Sequence, residues 1–147
     1  MSEIVKVIGR RVWDSRGRPT VEAEVTLADG SVGRGIAPAG ASRGTREAID
    51  LRDGGKRLGG LDVQRAVTNV NGEIARALVG RNAHDQAGAD QTLITLDGTP
   101  NKARLGGNAT VAVSIAVLHA SAKSAEKPAR HSAHFIFIRL FRNVFDR

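Results

Sequence analysis

A chain of 147 residues has room for one hydrophobic core, and 41% hydrophobic with 25% charged residues is a globular composition. The absence of cysteine excludes disulfides and thiolate chemistry, and no apolar run approaches the ~20 residues that span a bilayer, so no membrane role is expected. The net charge of +7 raises nucleic acid as a partner, but residues 128–147 supply +3 of it and Trp13 is the single aromatic before them, so specific nucleic-acid binding is not expected.

The N-terminus carries Glu3 and no signal-peptide core, which points to a cytoplasmic protein. Ile4 to Val12, rich in β-branched residues, is the predicted first strand. Thr20 to Leu27 alternates, with Val21, Ala23, Val25 and Leu27 on one face and Thr20, Glu22, Glu24 and Thr26 on a solvated one. Asp29-Gly30 suits a tight hairpin, and Ser31 to Ala37 returns as a third strand, giving a three-stranded meander. From residue 45 the period changes to about 3.6, and Ser42 or Thr45 can cap a following helix.

Val63, Ala66, Val67 and Val70 share one face of a helix that the breaker Asn71-Gly72 is expected to end. Ile74, Ala77 and Leu78 belong to a second short helix closed by Gly80. Asn82 can cap a third, with Asp85 in its first turn and Ala89, Leu93 and Leu96 as its buried stripe before Asp97-Gly98. Asn108 is the expected cap of the last helix, whose Val111, Val113, Ile115, Val117 and Leu118 lie on more than one side, so that the helix is either central or expects a second partner. A sheet first and helices afterwards predicts an α+β fold, the helices bundled on one sheet face. The composition breaks at Pro128, because Phe135, Phe137, Phe141 and Phe145 all lie beyond it. Residues 1–127 are therefore read as the domain and 128–147 as an unrelated basic, Phe-rich tail.

Among candidate chemical groups, Pro38 to Gly44 joins a strand to the helical half, with Gly40 and Gly44 permitting unusual backbone angles and Ser42 offering oxygen donors. Read from spacing alone, it is a flexible connection. No Gly-Lys-Ser or Gly-Lys-Thr follows the glycines, so a phosphate loop is not supported. His84, His119, His131 and His134 have no carboxylate or cysteine at ligand spacing, which argues against zinc. Arg10, Arg16 and Arg18 read as surface ion-pair partners of nearby acids.

The ordered motifs VKVIGR, DSRG with PTVEAEV, PAGAS, REAI with LRDG, AVTNVNG, IARALVG, DQAGAD, LDGT with NK, and GGNATVAVS resemble the N-terminal capping domain of enolase, from residue 1 to about Pro128. Enolase is the magnesium-dependent lyase that dehydrates 2-phosphoglycerate to phosphoenolpyruvate in glycolysis. The resemblance implies that Gly40, Ala41, Ser42, Arg43 and Gly44 belong to a substrate loop that closes over the active site. It also implies that Ser42 contributes oxygens to the second, substrate-associated Mg2+, and that Arg10 and Glu22 form salt bridges with the other subunit of a homodimer. Three positions depart from the family pattern: Ala39 stands for a serine, Arg43 for a threonine or similar small residue, and Arg18 for an asparagine.

In the family a barrel carries the lysine base, the carboxylate metal ligands and the general acid, and none has a counterpart in these 147 residues. No catalytic residue is therefore expected here, and Mg2+ is not expected to bind this chain alone. A truncated or frame-shifted gene product accounts for the change of composition at Pro128; a stand-alone module whose tail covers the surface a barrel would cover is the rival. A non-catalytic basic module binding a protein or polyanion is the alternative function.

Overall fold

The computed structural model describes residues 2–40, 44 and 47–125. Strands β1 (Ile4–Trp13), β2 (Pro19–Leu27) and β3 (Val32–Ile36) form an antiparallel sheet in that order. The register sets Arg10 opposite Glu22 and Glu24 opposite Arg34. Gly30, at φ 83, turns the hairpin between β2 and β3, and the Asp29 carboxylate accepts from the Ser31 amide at 2.8 Å. Val21, Ala23, Val25 and Leu27 are buried as their alternation predicts. Thr20 is buried too, against the expectation of a solvated position: its hydroxyl donates to the Ala37 carbonyl at 2.7 Å and so ties β2 to the chain leaving β3.

The helical half is α1 (Gln64–Asn69), α2 (Ala75–Leu78), α3 (Gln86–Asp97) and α4 (Gly107–Ser124). The helical period expected from residue 45 begins at Gln64; residues 47–56 follow an irregular path, and Thr45 lies outside the described residues. Asn71-Gly72 does not end a helix. A π turn, Val70–Ile74, carries α1 directly into α2. The turn keeps both Val70 and Ile74 fully buried, while Asn71 meets the outer edge of β1. There the Asn71 side-chain amide accepts from the Gly9 N–H and donates to the Gly9 carbonyl, both at 2.9 Å, as a neighbouring strand would. A side chain at Gly9 would stand 2.7 Å from the Val70 Cβ, so this clasp needs glycine.

Asp85, rather than Asn82, caps α3, accepting from the Gly88 amide at 2.9 Å. Asn82 instead orders the preceding turn through the His84 amide. Asn108 lies inside the first turn of α4 and is buried. Its amide exchanges two hydrogen bonds with the backbone of Leu51, at 3.2 and 3.1 Å, so Gly106 takes the cap position.

α4 is central, one of the two positions its many-sided apolar pattern allows, and packs against β2, β3, α1 and α3. Ala112, Ala116 and Ala120 are fully buried beneath Gly33 and Gly35, where a Cβ would come within 2.2 Å of the helix backbone. Small residues on both sides therefore let the helix lie directly on the strand.

Candidate loop site at the end of the sheet

Asp14 builds the turn between β1 and β2. One carboxylate oxygen accepts from the amides of Arg16 at 2.8 Å and Arg18 at 2.9 Å, and Gly17 supplies φ 69. Those contacts, the Arg18 amide foremost, hold the Asp14 carboxyl below the ordinary carboxylate range. The Arg16 guanidinium donates to the other Asp14 oxygen at 3.3 Å and also to the Ala39 carbonyl. The start of the 38–44 segment is thereby fastened twice to the sheet, at Ala37 by Thr20 and at Ala39 by Arg16.

Beyond residue 46 the chain is fastened to the helical half. Ile49 donates to the Asn101 carbonyl at 2.8 Å and accepts from the Gly107 amide at 2.7 Å, and Leu51 is held by Asn108. Arg52 then crosses back to the sheet, with Nη1 donating to the carbonyls of Pro19 and Leu61 and Nε to Asp50. Of the predicted loop residues, Gly40 and Gly44 are exposed. Ala41, Ser42 and Arg43 lie outside the described residues, as do His131, His134 and the 128–147 tail.

Arg10 and Glu22 pair with each other within the chain, on the open face of the sheet, at 2.7 Å. Arg10 also reaches Glu24 at 3.3 Å, and Arg34 reaches Glu24 at 2.8 Å, so two cations and two anions form one chain. The Arg34 bond, then the Arg10 bond, lowers the Glu24 carboxyl against the opposing effect of burial; the Glu22 bond raises the Arg10 guanidinium. Arg11 is likewise engaged, by Asp62 through two bonds of 2.9 Å, and lies 5.7 Å over the Trp13 ring. Neither described histidine joins an acidic cluster: His84 pairs with Ser121, and His119 with the Arg34 carbonyl.

The Asp14–Arg16–Ala39 fastening and the Arg52 crossing were missed by the sequence reading. An Asp two residues before Arg16 and ahead of a Gly is a legible turn signal, but the long reach of either arginine to a carbonyl has no local pattern.

The chain matches the family model described as "Enolase, N-terminal domain" over residues 4–131. It belongs to the enolase family. The three-stranded antiparallel sheet followed by helices is the α+β arrangement expected of that enolase domain. Enolases use Mg2+, a hard cation that takes about six oxygen ligands in near-octahedral geometry. The described part of this enolase chain does not furnish such a set: among the described residues no group of three or more His, Asp or Glu could hold a metal ion. Nor, among them, is any helix long and apolar enough to cross a membrane.

Proposed function

We propose that this chain is the capping portion of an enolase-type lyase and takes part in dehydration of 2-phosphoglycerate to phosphoenolpyruvate only together with a barrel. The observation that supports this reading is the family match over residues 4–131, together with the fastening of the chain on both sides of residues 41–46: Ala37 and Ala39 to the sheet through Thr20 and Arg16, and Ile49 and Leu51 to the start of α4 through Gly107 and Asn108. Fastening on both sides suits a stretch of chain that must meet a substrate on another domain. In this reading Ser42 supplies oxygen to the substrate-associated Mg2+ once the barrel's ligands are in place. Arg10 and Glu22 occupy the face that meets the other subunit of a cytoplasmic homodimer. The chemistry itself, removal of a weakly acidic proton with metal-stabilised negative charge, needs a base and metal ligands that the capping portion does not contribute.

The test is phosphoenolpyruvate formation from 2-phosphoglycerate with magnesium. The chain alone gives no turnover, whereas the chain joined to an enolase barrel turns over and loses at least about tenfold when Ser42 is replaced by Ala. Turnover by the chain alone, in a preparation shown free of host enolase, refutes the reading.

A further inference from the structure

The two edges of the sheet are treated differently. On β1, Asn71 pairs with Gly9, and Ser2 to Ile4 pair with residues 80–83: Ile4 donates to the Arg81 carbonyl, and Gly80 donates to that of Ile4, each at 2.8 Å. On β3, among the described residues, no strand stands beside the outer edge. Ala37 donates to Val21 and Leu27 to Ser31, so odd-numbered residues pair inward, and the N–H and C=O groups of Val32, Arg34 and Ile36 point outward. An open cavity of about 740 Å³ lies at this edge, lined by Val32, Gly33 and Arg34 on the strand, by Glu24 on β2, and by His119, Ala122 and Lys123 on α4.

One outward group is taken. His119 Nδ1 stands 2.7 Å from the Arg34 carbonyl oxygen. A carbonyl can only accept, so this pairing requires a proton on Nδ1. The ring then sits where the N–H of an added strand would have to arrive. The strand it covers, Val-Gly-Arg-Gly-Ile, is short and glycine-rich, with Ile36 45% exposed. Such an edge specifies register weakly and is a template for pairing with its own copies. Antiparallel pairing about Gly35 would set Arg34 of each copy opposite Ile36 of the other and avoid opposing the two guanidinium groups.

We propose that His119 guards the outer edge of β3, holding the outward Arg34 carbonyl occupied and so preventing strand addition by a second copy of this chain. His119→Ala in the full chain removes the guard. Sedimentation should then show half-dimerisation at a concentration about tenfold lower than for the parent, with amide exchange at Val32, Arg34 and Ile36 slowed. His119→Gln, which keeps a side-chain N–H donor, should behave as the parent. The proposal is overturned if His119→Ala leaves mass and exchange unchanged, or if His119→Gln associates as readily as His119→Ala. In the unaltered chain, nitrogen NMR of the imidazole should report the Nδ1–H tautomer; a predominant Nε2–H form overturns the proposal independently of how any variant folds.

Discussion

Gly33→Ala tests the close approach of α4 to β3. A Cβ built there lies 2.2 Å from both the Ala116 carbonyl oxygen and the Ala120 nitrogen, and ordinary contact starts at 3.4 Å, so α4 must retreat by roughly 1.2 Å. Both atoms are helix backbone, so no rotamer change relieves the overlap. A gap of about 0.5–1 Å already forfeits a quarter to a half of the dispersion well for each atom pair, and Ala112, Ala116 and Ala120 are all fully buried in this layer. The loss should reach the upper end of overpacking costs, about 3 kcal/mol. With a urea m-value of about 1–3 kcal/mol/M, the midpoint falls by about 1–3 M, read by circular dichroism. Gly72→Ala is the matched control: nothing lies within 4 Å of its Cβ and its φ is not positive, so relief of helix entropy should stabilise by about 0.5–1 kcal/mol. Equal midpoints for the two variants would refute the argument that close backbone approach, rather than conformational freedom, selects glycine at residue 33.

Asn71→Ala leaves the Gly9 N–H and C=O without their partner and should cost about 1–3 kcal/mol, with faster amide exchange at Gly9; a change within 0.5 kcal/mol would show the clasp to be incidental. Acid should destabilise the domain in a defined direction. The Ser124 hydroxyl, then the Ser31 amide, holds Asp29 at about 2, and Asp97, despite the opposing effect of burial, is held low by Thr99 and the Leu105 amide. Folded values below unfolded ones mean that the unfolded chain binds more protons. The stabilisation is therefore complete above the unfolded carboxylate range, near pH 4, and is lost as pH falls toward the folded values. Asp29→Asn should flatten the fall of the urea midpoint between about pH 4 and pH 2; an unchanged slope would discount the Ser124 bond.

Strict alternation made β2 legible, because a half-buried strand needs little beyond its own period. α4 was legible as either central or awaiting a second partner, for the matching reason: apolar residues on several sides have to be covered. The failures share a different cause. Asn71-Gly72 has the local chemistry of a breaker, but its amide is spent on Gly9, 62 residues away, and the gain from closing a sheet edge outweighs the local preference for a turn. Asn108 was read as a cap on the same local logic and is spent on Leu51 instead. Residues 47–62 have no usable period because side-chain bonds to backbone distant in sequence, made by Arg52, Asn108 and Asp53, hold their path. At the candidate site, Arg10 and the nearby acids were legible as ion-pair partners, but the register of β1 on β2 that sets Arg10 opposite Glu22 depends on the Asp14 turn. The fastening of Ala39 by Arg16 depends on where two loops meet in space.

The covering of β1 has a consequence for the order of synthesis. β1 is complete once Trp13 has been made, but the residues that close its outer edge, Asn71 and 80–83, come about 60–70 residues later. At about 5–20 residues per second, the first strand waits roughly 3–14 s with its edge unpaired. The N-terminal third of the nascent chain therefore passes through an interval as an incomplete sheet, whose outer edge is closed only when the helical half has been made.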